Sequence, residues 1–375
     1  MVRYLYHIWR CVMFEPKFVY TNDIVKGLLD IEKYKTQLEY LSLPTNITQE
    51  MVFKAKMKKT HFSTRIEGNL LSYAQVERAI TEKDKKTTID AEREVVNYWD
   101  ALSYLEKCKE ENRQIDNQLI LELHGIIERR DVRKKIIGFR QKTPPGVLFA
   151  VYDSVNMTPE YIPPEAKDIE ELMNDLTMWY NTENNLPVPI KAAIVSYQLV
   201  TIHPFEDGNG RTCRALATYV LMLGGYDFKG FNSMEEYYAN NLEGYYKNLQ
   251  MGLPVLYYDG RNNPPHLENW IEYFIRIMSL NAENISWQAR DATKDERERL
   301  EFESLNKKDM KMLRYLLENN MDTIKTKDLA NIFNVTPRAI TKWCSEWVDR
   351  GVLKANYKNV RITSYSLNEK YKKLV

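Results

Sequence analysis

The centre of the chain carries a twelve-residue stretch, His203-Pro204-Phe205-Glu206-Asp207-Gly208-Asn209-Gly210-Arg211-Thr212-Cys213-Arg214. It stands between two apolar segments with helical spacing, so its Gly-Asn-Gly turn is predicted to open onto a helix N-terminus. The backbone N–H groups and the dipole of such a terminus bind anions. His203 is the one side chain here whose ordinary pKa suits general-base work near neutrality. The stretch therefore predicts an anion site with a base at its entrance.

Three further charged side chains point to a polyphosphate. Arg211 and Arg214 stand three residues apart and are predicted to share one helix face, which suits several phosphate groups better than one carboxylate. Asp207 is a hard oxygen ligand of the kind that Mg²⁺ takes on phosphates. Each feature alone also fits an ordinary turn or a solvated helix face. Together they predict transfer from a nucleotide phosphate to a hydroxyl.

The stretch matches the signature HPFx(D/E)GNGRxxR at every fixed position and so resembles the Fic family. Resemblance to active Fic enzymes implies transfer of AMP from ATP to a Ser, Thr or Tyr hydroxyl of a protein, with release of pyrophosphate. Carried over by position, His203 deprotonates the hydroxyl and Asp207 binds Mg²⁺. The residues implied to bind ATP are Gly208, Asn209 and Gly210 at the α- and β-phosphates, Arg211 and Arg214 at the outer phosphates, and Asn240, Asn241 and Tyr245 as open candidates around adenine and ribose.

The segment from Ser63 to Gly68 has the features of a helix end. Gly68 or the following Asn69 can adopt the left-handed conformation that ends helices, and Glu67 is either an exposed acid or a paired one, since a carboxylate there opposes the helix dipole. The segment also fits the (S/T)xxxE(G/N) motif of Fic inhibitory helices. The resemblance implies that Ser63, Glu67 and Gly68 form an inhibitory segment and that Glu67 pairs with Arg214. A resting, autoinhibited enzyme is expected, because this pairing removes the cation that the outer phosphate needs.

Between Gly138 and Tyr152 the pattern changes from helical to alternating. Val147, Phe149 and Val151 alternate with other residues after a Pro-Pro-Gly turn, which predicts a β-hairpin. It is either a small capping hairpin or, by resemblance to the Fic family, the flap whose backbone pairs with the target and aims its hydroxyl. The flap residues are then Val147, Leu148, Phe149 and Ala150.

Composition bounds the class of protein. The 375 residues are 44% hydrophobic and 28% charged, as in ordinary globular proteins. The four cysteines lack the spacing of a disulfide framework or a zinc site, which predicts a reducing, cytoplasmic location. The first fourteen residues are interrupted by charged side chains and do not resemble a signal peptide, and no apolar run has the length of a membrane span.

The last part of the chain differs in charge from the rest. Residues 305–375 hold 15 Lys and Arg against 7 Asp and Glu, whereas the remainder holds 38 against 45. The pattern predicts helices at Met310–Leu317 and Thr326–Phe333, a third helix that Thr336 caps and Pro337 begins, and two strands. This order resembles a winged-helix domain, with Thr336, Arg338, Thr341 and Lys342 facing DNA and Ile340, Trp343 and Trp347 in the core. Winged helices also mediate protein contacts, so both uses stay open.

The predicted fold class is mainly α, with a Fic helical core, a small β-hairpin flap and a C-terminal winged-helix domain. His124 is predicted to be structural. The predicted domains are an N-terminal helical region with the inhibitory motif at 1–107, the Fic catalytic core at 108–287, a charged linker at 288–304, and the winged helix at 305–375.

Two other functions compete with adenylyl transfer. The first is a DNA-binding regulator whose Fic core senses nucleotide without much turnover, although such a binder does not need His203. The second is the reverse reaction, in which Glu67 positions water to remove AMP from a modified protein. Transfer of another nucleotide, such as UMP, also stays open. The expected partner is a protein that presents a hydroxyl at the flap, and self-modification, DNA and a homodimer are further options.

Overall fold

The computed structural model describes residues 14–82, 89–129, 138–152, 158–257, 263–303, 305–319 and 321–372. The chain divides into two compact units, residues 1–293 and 294–375. The helices of the first unit are α1 (Asn22–Tyr40), α2 (Thr45–Ile66), α3 (Tyr73–Thr81), α4 (Asp90–Glu110), α5 (Asn117–Ile127), α6 (Ile169–Thr182), α7 (Val188–Ile202), α8 (Asn209–Leu223), α9 (Glu235–Asn240), α10 (Leu242–Gln250) and α11 (Leu267–Glu303). The unit boundary lies within α11, inside the segment for which the sequence predicted a linker. The mainly helical fold that the sequence predicted is confirmed.

Helices α7 and α8 form the centre of the first unit. Nearly every residue of α7 is buried, as expected for a helix that is apolar on all sides. The indole Nε1 of Trp270 on α11 donates to the carbonyl of Ala193 at 2.8 Å, which fixes α11 against α7. The motif connects these two central helices, so its loop is held at both ends by buried helices.

Helix α2 is unusual because polar residues make up much of its buried face. Lys56 donates to Glu106 at 2.7 Å, and Lys58 donates to Glu236 at 2.8 Å. Lys59 is also buried, and burial lowers the pKa of its ammonium group. The helix that carries the predicted inhibitory motif is therefore held to the unit by ionic contacts as well as by apolar packing.

The predicted hairpin lies further along the chain than expected. The two strands are β1 (Val151–Tyr152) and β2 (Pro159–Tyr161), and they pair antiparallel, while 153–157 lie outside the described residues. Of the hairpin predicted between Gly138 and Tyr152, only Val151 and Tyr152 lie in a strand of the structure, and the predicted flap residues Val147 and Leu148 are exposed. Alternation in sequence did not reveal that the pairing partner lies beyond Tyr152.

The second unit contains a small sheet and four helices among the described residues. Its elements are α12 (Lys307–Glu318), β3 (Thr323–Ile324), α13 (Thr326–Phe333), α14 (Pro337–Asp349), β4 (Leu353–Lys358), β5 (Arg361–Leu367) and α15 (Glu369–Lys372), with antiparallel sheet order β3-β5-β4. The hydroxyl of Thr336 accepts from the Ala339 N–H at 3.3 Å, so it caps α14 as predicted. Ile340 and Trp347 are buried and Trp343 is partly buried, whereas Arg338, Thr341 and Lys342 are exposed. The winged-helix assignment stays a prediction.

Candidate active site

His203 ends α7 in a left-handed conformation, with φ 50° and ψ 59°. Its Nδ1 lies 3.2 Å from the carbonyl oxygen of Val200. Because a carbonyl oxygen only accepts, Nδ1 carries the proton and Nε2 holds the lone pair. Burial lowers the pKa of His203 to about 4, so the imidazole is neutral at neutral pH. The site therefore contains a base in its acceptor form.

The loop after His203 is fixed from inside the core. The Asn209 side chain accepts from the Phe205 N–H at 3.0 Å and donates to the Phe205 carbonyl at 2.9 Å. The ring of Phe205 stacks on His124, with ring centroids 3.6 Å apart. His124 Nε2 in turn lies 3.0 Å from the carbonyl of Asp207. His124 thus has a structural position against the loop. The Asn209 side chain holds the loop, so only the backbone N–H of Asn209 is left for an anion.

The turn itself presents the N-terminus of α8. Gly208 has φ +77° and caps the helix, so the first N–H groups of α8 have no partner within the helix. A Cβ on Gly208 would lie 2.6 Å from Glu128 Oε1, and a Cβ on Gly210 would lie 2.3 Å from Glu67 Oε1. The carboxylate of Glu67 therefore lies directly against the turn, at the position where an anion would bind.

Glu67 contacts Arg214 across this turn. Arg214 Nη2 lies 2.7 Å from Glu67 Oε1 and donates to the Ser63 carbonyl at 2.8 Å, and its Nε donates to the Ser63 hydroxyl at 2.9 Å. Gly68 has φ +93°, the left-handed conformation in which glycine commonly ends a helix. Ser63 and Glu67 thus contact the second motif arginine, and Gly68 follows them in the turn that ends the helix.

Arg211 lies one helical turn earlier but points elsewhere. Its Nη1 lies 2.7 Å from Glu94 Oε1, and its Nη2 lies 2.8 Å from Glu128 Oε1 and 3.6 Å from Asp207 Oδ1. The guanidinium therefore faces three carboxylates. The two arginines do not converge on one opening: Arg214 lines a cleft with His203, and Arg211 lines a separate crevice.

Comparison with known proteins finds the same family that the motif resembles. Residues 114–221 match the family model described as Fic/DOC. The protein carries a Fic domain. Protein adenylyltransferase fic-1 of Caenorhabditis elegans is 29% identical over 259 residues, which cover 64% of this chain and 46% of that protein. The chain spans about half the length of the first curated relatives it matches.

Two solved structures share the fold. A Fic family protein from Desulfovibrio desulfuricans G20 has a TM-score of 0.57 at 18% identity, over 95% of this chain and 98% of that one. Residues 134–508 of Fic-1 from C. elegans have a TM-score of 0.54 at 24% identity, over 73% of each chain. These likenesses support the Fic fold of the first unit.

The Fic motif and the inhibitory segment meet in an open cleft of about 140 Å³. Its lining includes His203, Gly210, Arg214, Glu67 and Tyr245. Glu67 also lines the crevice of about 700 Å³ that contains Asp207 and Arg211, so its side chain separates the two openings. Of the candidates for the adenine and ribose contacts, the structure brings only Tyr245 into the cleft.

The other two candidates are exposed. Asn240 ends α9, and the side chain of Asn241 accepts from the Gly244 N–H at 3.0 Å as the cap of α10. Their predicted contacts with adenine or ribose therefore stay predictions.

No helix among the described residues combines the length and hydropathy of a membrane span.

Arg140 joins the predicted flap to the Fic motif, and sequence analysis missed it. Its Nε donates to the His203 carbonyl at 2.9 Å and its backbone N–H donates to the Pro204 carbonyl at 2.8 Å. Its guanidinium carbon also lies 4.4 Å from the ring centroid of Phe149. The flap residue Phe149 is thereby held beside His203, with ring centroids 6.2 Å apart.

Sequence analysis also missed Glu94 and Glu128, and it named Asn69 only as a candidate to end the helix. Glu94 lies on α4, Glu128 lies directly after α5, and Asn69 lies directly after the predicted inhibitory segment. The three residues come together only in the folded chain. The available signal was indirect, because a buried arginine next to an anion-binding turn needs carboxylate partners from elsewhere in the fold.

Proposed function

We propose that this protein is an ATP-dependent protein adenylyltransferase, held in a resting state by Glu67. The contact of Glu67 with Arg214 beside the neutral base His203 is the observation that carries the proposal. Base, anion-binding turn and arginine lie in one cleft, as transfer to a hydroxyl requires. The curated relatives are named protein adenylyltransferases, which supports the same reaction.

The proposed chemistry follows from the protonation state of His203. A hydroxyl of the target protein donates its proton to Nε2, and its oxygen attacks the α-phosphorus of ATP. The bond between that phosphorus and the bridging oxygen to the β-phosphate breaks, and pyrophosphate leaves with the electron pair. The N–H groups that begin α8 stabilise the charge on the phosphate oxygens.

Mg²⁺ would be held by Asp207. This carboxylate is 66% exposed and its Oδ1 accepts from the Gly208 N–H at 2.7 Å, so it is presented to solvent in a fixed position. A single exposed carboxylate fits Mg²⁺, which keeps several waters and takes its other ligands from phosphates. When bound, the ion would neutralise charge on the phosphates. No cluster of three metal-ligating side chains occurs among the residues that the structure describes.

The resting state follows from the same contacts. Arg214 would bind the outer phosphate, but Glu67 already uses it, and the negative charge of Glu67 repels a phosphate group. A Ser, Thr or Tyr of the target would be aimed by the flap that Arg140 holds beside His203. Self-modification and action as a homodimer are compatible with this arrangement.

The test is incorporation of α-labelled ATP into protein by wild type, Glu67→Gly and Glu67→Gly/His203→Ala. The single variant should label at least about tenfold faster, because removal of a charge-assisted contact exposes Arg214. The double variant should not label, since the base is gone. If no variant labels, even with cell extract as target, the nucleotide-sensing regulator or the reverse reaction becomes the better proposal.

We also propose that residues 305–375 bind duplex DNA. The exposed Arg338, Thr341 and Lys342 on α14 and the excess of basic residues support this. Full-length protein should bind duplex DNA at low salt and release it as salt rises, and Lys342→Glu should weaken binding. Lys107→Glu, the same charge change on the exposed side of α4, is the control and should have little effect. Absence of binding at low salt would contradict the proposal.

A further inference from the structure

The turn that follows Glu67 is held by one side chain. Between Ile66 and Leu71, all of which the structure describes, Asn69 is the only buried residue, whereas Leu70 is 95% exposed. The Asn69 amide group donates to the Ala91 carbonyl at 2.9 Å and to Glu94 Oε2 at 2.7 Å, and its Oδ1 accepts from the Leu71 N–H at 3.1 Å. The amide thus fastens the turn to α4.

Glu94 connects this turn to the motif helix. Its Oε2 accepts from Asn69 while its Oε1 pairs with Arg211 Nη1 at 2.7 Å. The charge of Arg211 and the amide of Asn69 therefore fix the two oxygens of one carboxylate. Contacts of this kind are short and strong because one partner or both are charged.

The inhibitory contact depends on the position of this turn. Glu67 follows the last residue of α2, and its side chain contacts Arg214. The backbone here is held by the Thr64 carbonyl, which accepts from the N–H groups of Glu67 and Asn69, both at 3.1 Å. If the turn moves, the carboxylate of Glu67 moves with it. Besides these backbone bonds, the side chain of Asn69 supplies contacts that offset the entropy of fixing the turn.

We infer that Asn69 and Glu94 are positioning residues that hold Glu67 on Arg214, so that one connected set of contacts joins the inhibitory turn to both motif arginines. This inference rests on the proposed autoinhibition. The hydrogen bonds of the Asn69 side chain go to Ala91, Glu94 and Leu71, so its effect on Arg214 passes through Glu67.

The first test measures labelling with α-labelled ATP in two backgrounds. In the wild-type background Asn69→Ala should raise the rate about fivefold to tenfold, since a hydrogen bond to a charged group is lost. In the Glu67→Gly background Asn69→Ala should change nothing, because no carboxylate remains to be positioned. Leu70→Ala, the neighbouring exposed residue, is the control and should leave both backgrounds unchanged. An equal effect of Asn69→Ala in the two backgrounds overturns the inference.

The second test needs no activity. Amide hydrogen exchange of residues 67–69 should accelerate in Asn69→Ala, which lacks the side-chain amide. It should also accelerate in Glu94→Gln, because the NH₂ group of the glutamine faces the Asn69 amide when the glutamine oxygen faces Arg211. It should not accelerate in Leu70→Ala. Unchanged exchange in both variants overturns the inference, whereas failure of Glu67→Gly to label while exchange accelerates overturns only the proposed function.

Discussion

Arg211 and Arg214 lie one turn apart on the same helix, yet they are held in different ways. Arg214 contacts the carboxylate of Glu67, the residue that follows α2, and that side chain is 29% exposed. Arg211 contacts Glu94 and Glu128 on α4 and after α5, and the side chain of Glu128 is 9% exposed. Arg214 is paired with one carboxylate, whereas Arg211 is paired with carboxylates from two separate segments, of which Glu94 is 22% exposed. The difference indicates that Arg214 is the arginine that release of a segment can free, whereas Arg211 is compensated by the fold.

The largest expected effect is on stability at Arg211. Glu128→Ala should lower the free energy of unfolding by about 3 to 4 kcal/mol, because it leaves a buried guanidinium short of a partner and removes packing on Gly208. Glu67→Ala, the matched change at Arg214, should cost about 1 kcal/mol or less, because Glu67 is more exposed than Glu128 and Arg214 lines the cleft, where water can replace the carboxylate. Urea denaturation of both variants measures the contrast. Equal losses would remove the distinction between the two arginines.

The next effect is a pH dependence of the free energy of unfolding, which arises at His124. Burial lowers the pKa of His124 from 6.5 to about 4. The unfolded chain then binds a proton below pH 6.5 that the folded chain binds only near pH 4, so the free energy of unfolding falls as pH drops through this window. The loss should reach about 2 to 3 kcal/mol for this residue, and none of it appears above pH 6.5.

His124→Phe is the matched variant for that measurement. It keeps an aromatic ring against Phe205 but cannot titrate, so its unfolding free energy should depend less on pH between 6.5 and 4. The remaining dependence should come in part from His203, whose pKa burial also lowers to about 4. An identical pH dependence in wild type and variant would show that His124 does not titrate as described.

A smaller effect is expected where Ser63 supports Arg214. Ser63→Ala removes the hydroxyl that accepts from Arg214 Nε but keeps the Ser63 carbonyl contact and Glu67. The free energy of unfolding should fall by about 1 kcal/mol, the usual loss for one hydrogen bond. Thr64→Ser, whose hydroxyl can keep its bonds to the α2 backbone, serves as the control. A loss as large as that of Glu128→Ala would contradict the distinction between the two arginines, because the fold would then depend on the contacts of Arg214 as much as on those of Arg211.

The smallest effect is that of salt. Raising ionic strength should weaken the Glu67–Arg214 pair more than the Glu128–Arg211 pair, because the side chain of Glu67 is 29% exposed and that of Glu128 is 9% exposed. Labelling by wild type, divided by labelling by Glu67→Gly at the same salt, should therefore rise by about twofold between low and high salt. The division removes the effect of salt on ATP binding itself. A constant ratio would mean that Glu67 is as well shielded as Glu128.

The sequence predicted the parts of the site that depend on local chemistry. The turn at Gly208, the cap at Gly68 and the contact of Glu67 with Arg214 are where the motifs placed them, although the functional roles stay proposals. The helices on either side of the motif were also predicted, because their apolar residues recur at helical spacing.

The parts that were missed depend on distant residues. Glu94 and Glu128 meet Arg211 only because α4 and α5 pack beside α8, and neither carries a local signature. The strand pairing was misplaced because β1 pairs with residues 159–161, and the register is set by tertiary contacts rather than by alternation. The prediction that Arg211 and Arg214 share one helix face did not reveal that they line different openings, since the partners of Arg211 come from other parts of the fold.

Arg140 has a consequence for how such a protein can diverge. It attaches to the motif through the main-chain oxygens of His203 and Pro204, atoms that every residue possesses. The residues that follow it, such as Val147 and Leu148, are exposed and take no part in that attachment. Under the proposed function, substitutions among them would change which target is accepted while the contacts between Arg140 and the motif are preserved. New targets would then require changes at a few exposed positions and none in the cleft around His203.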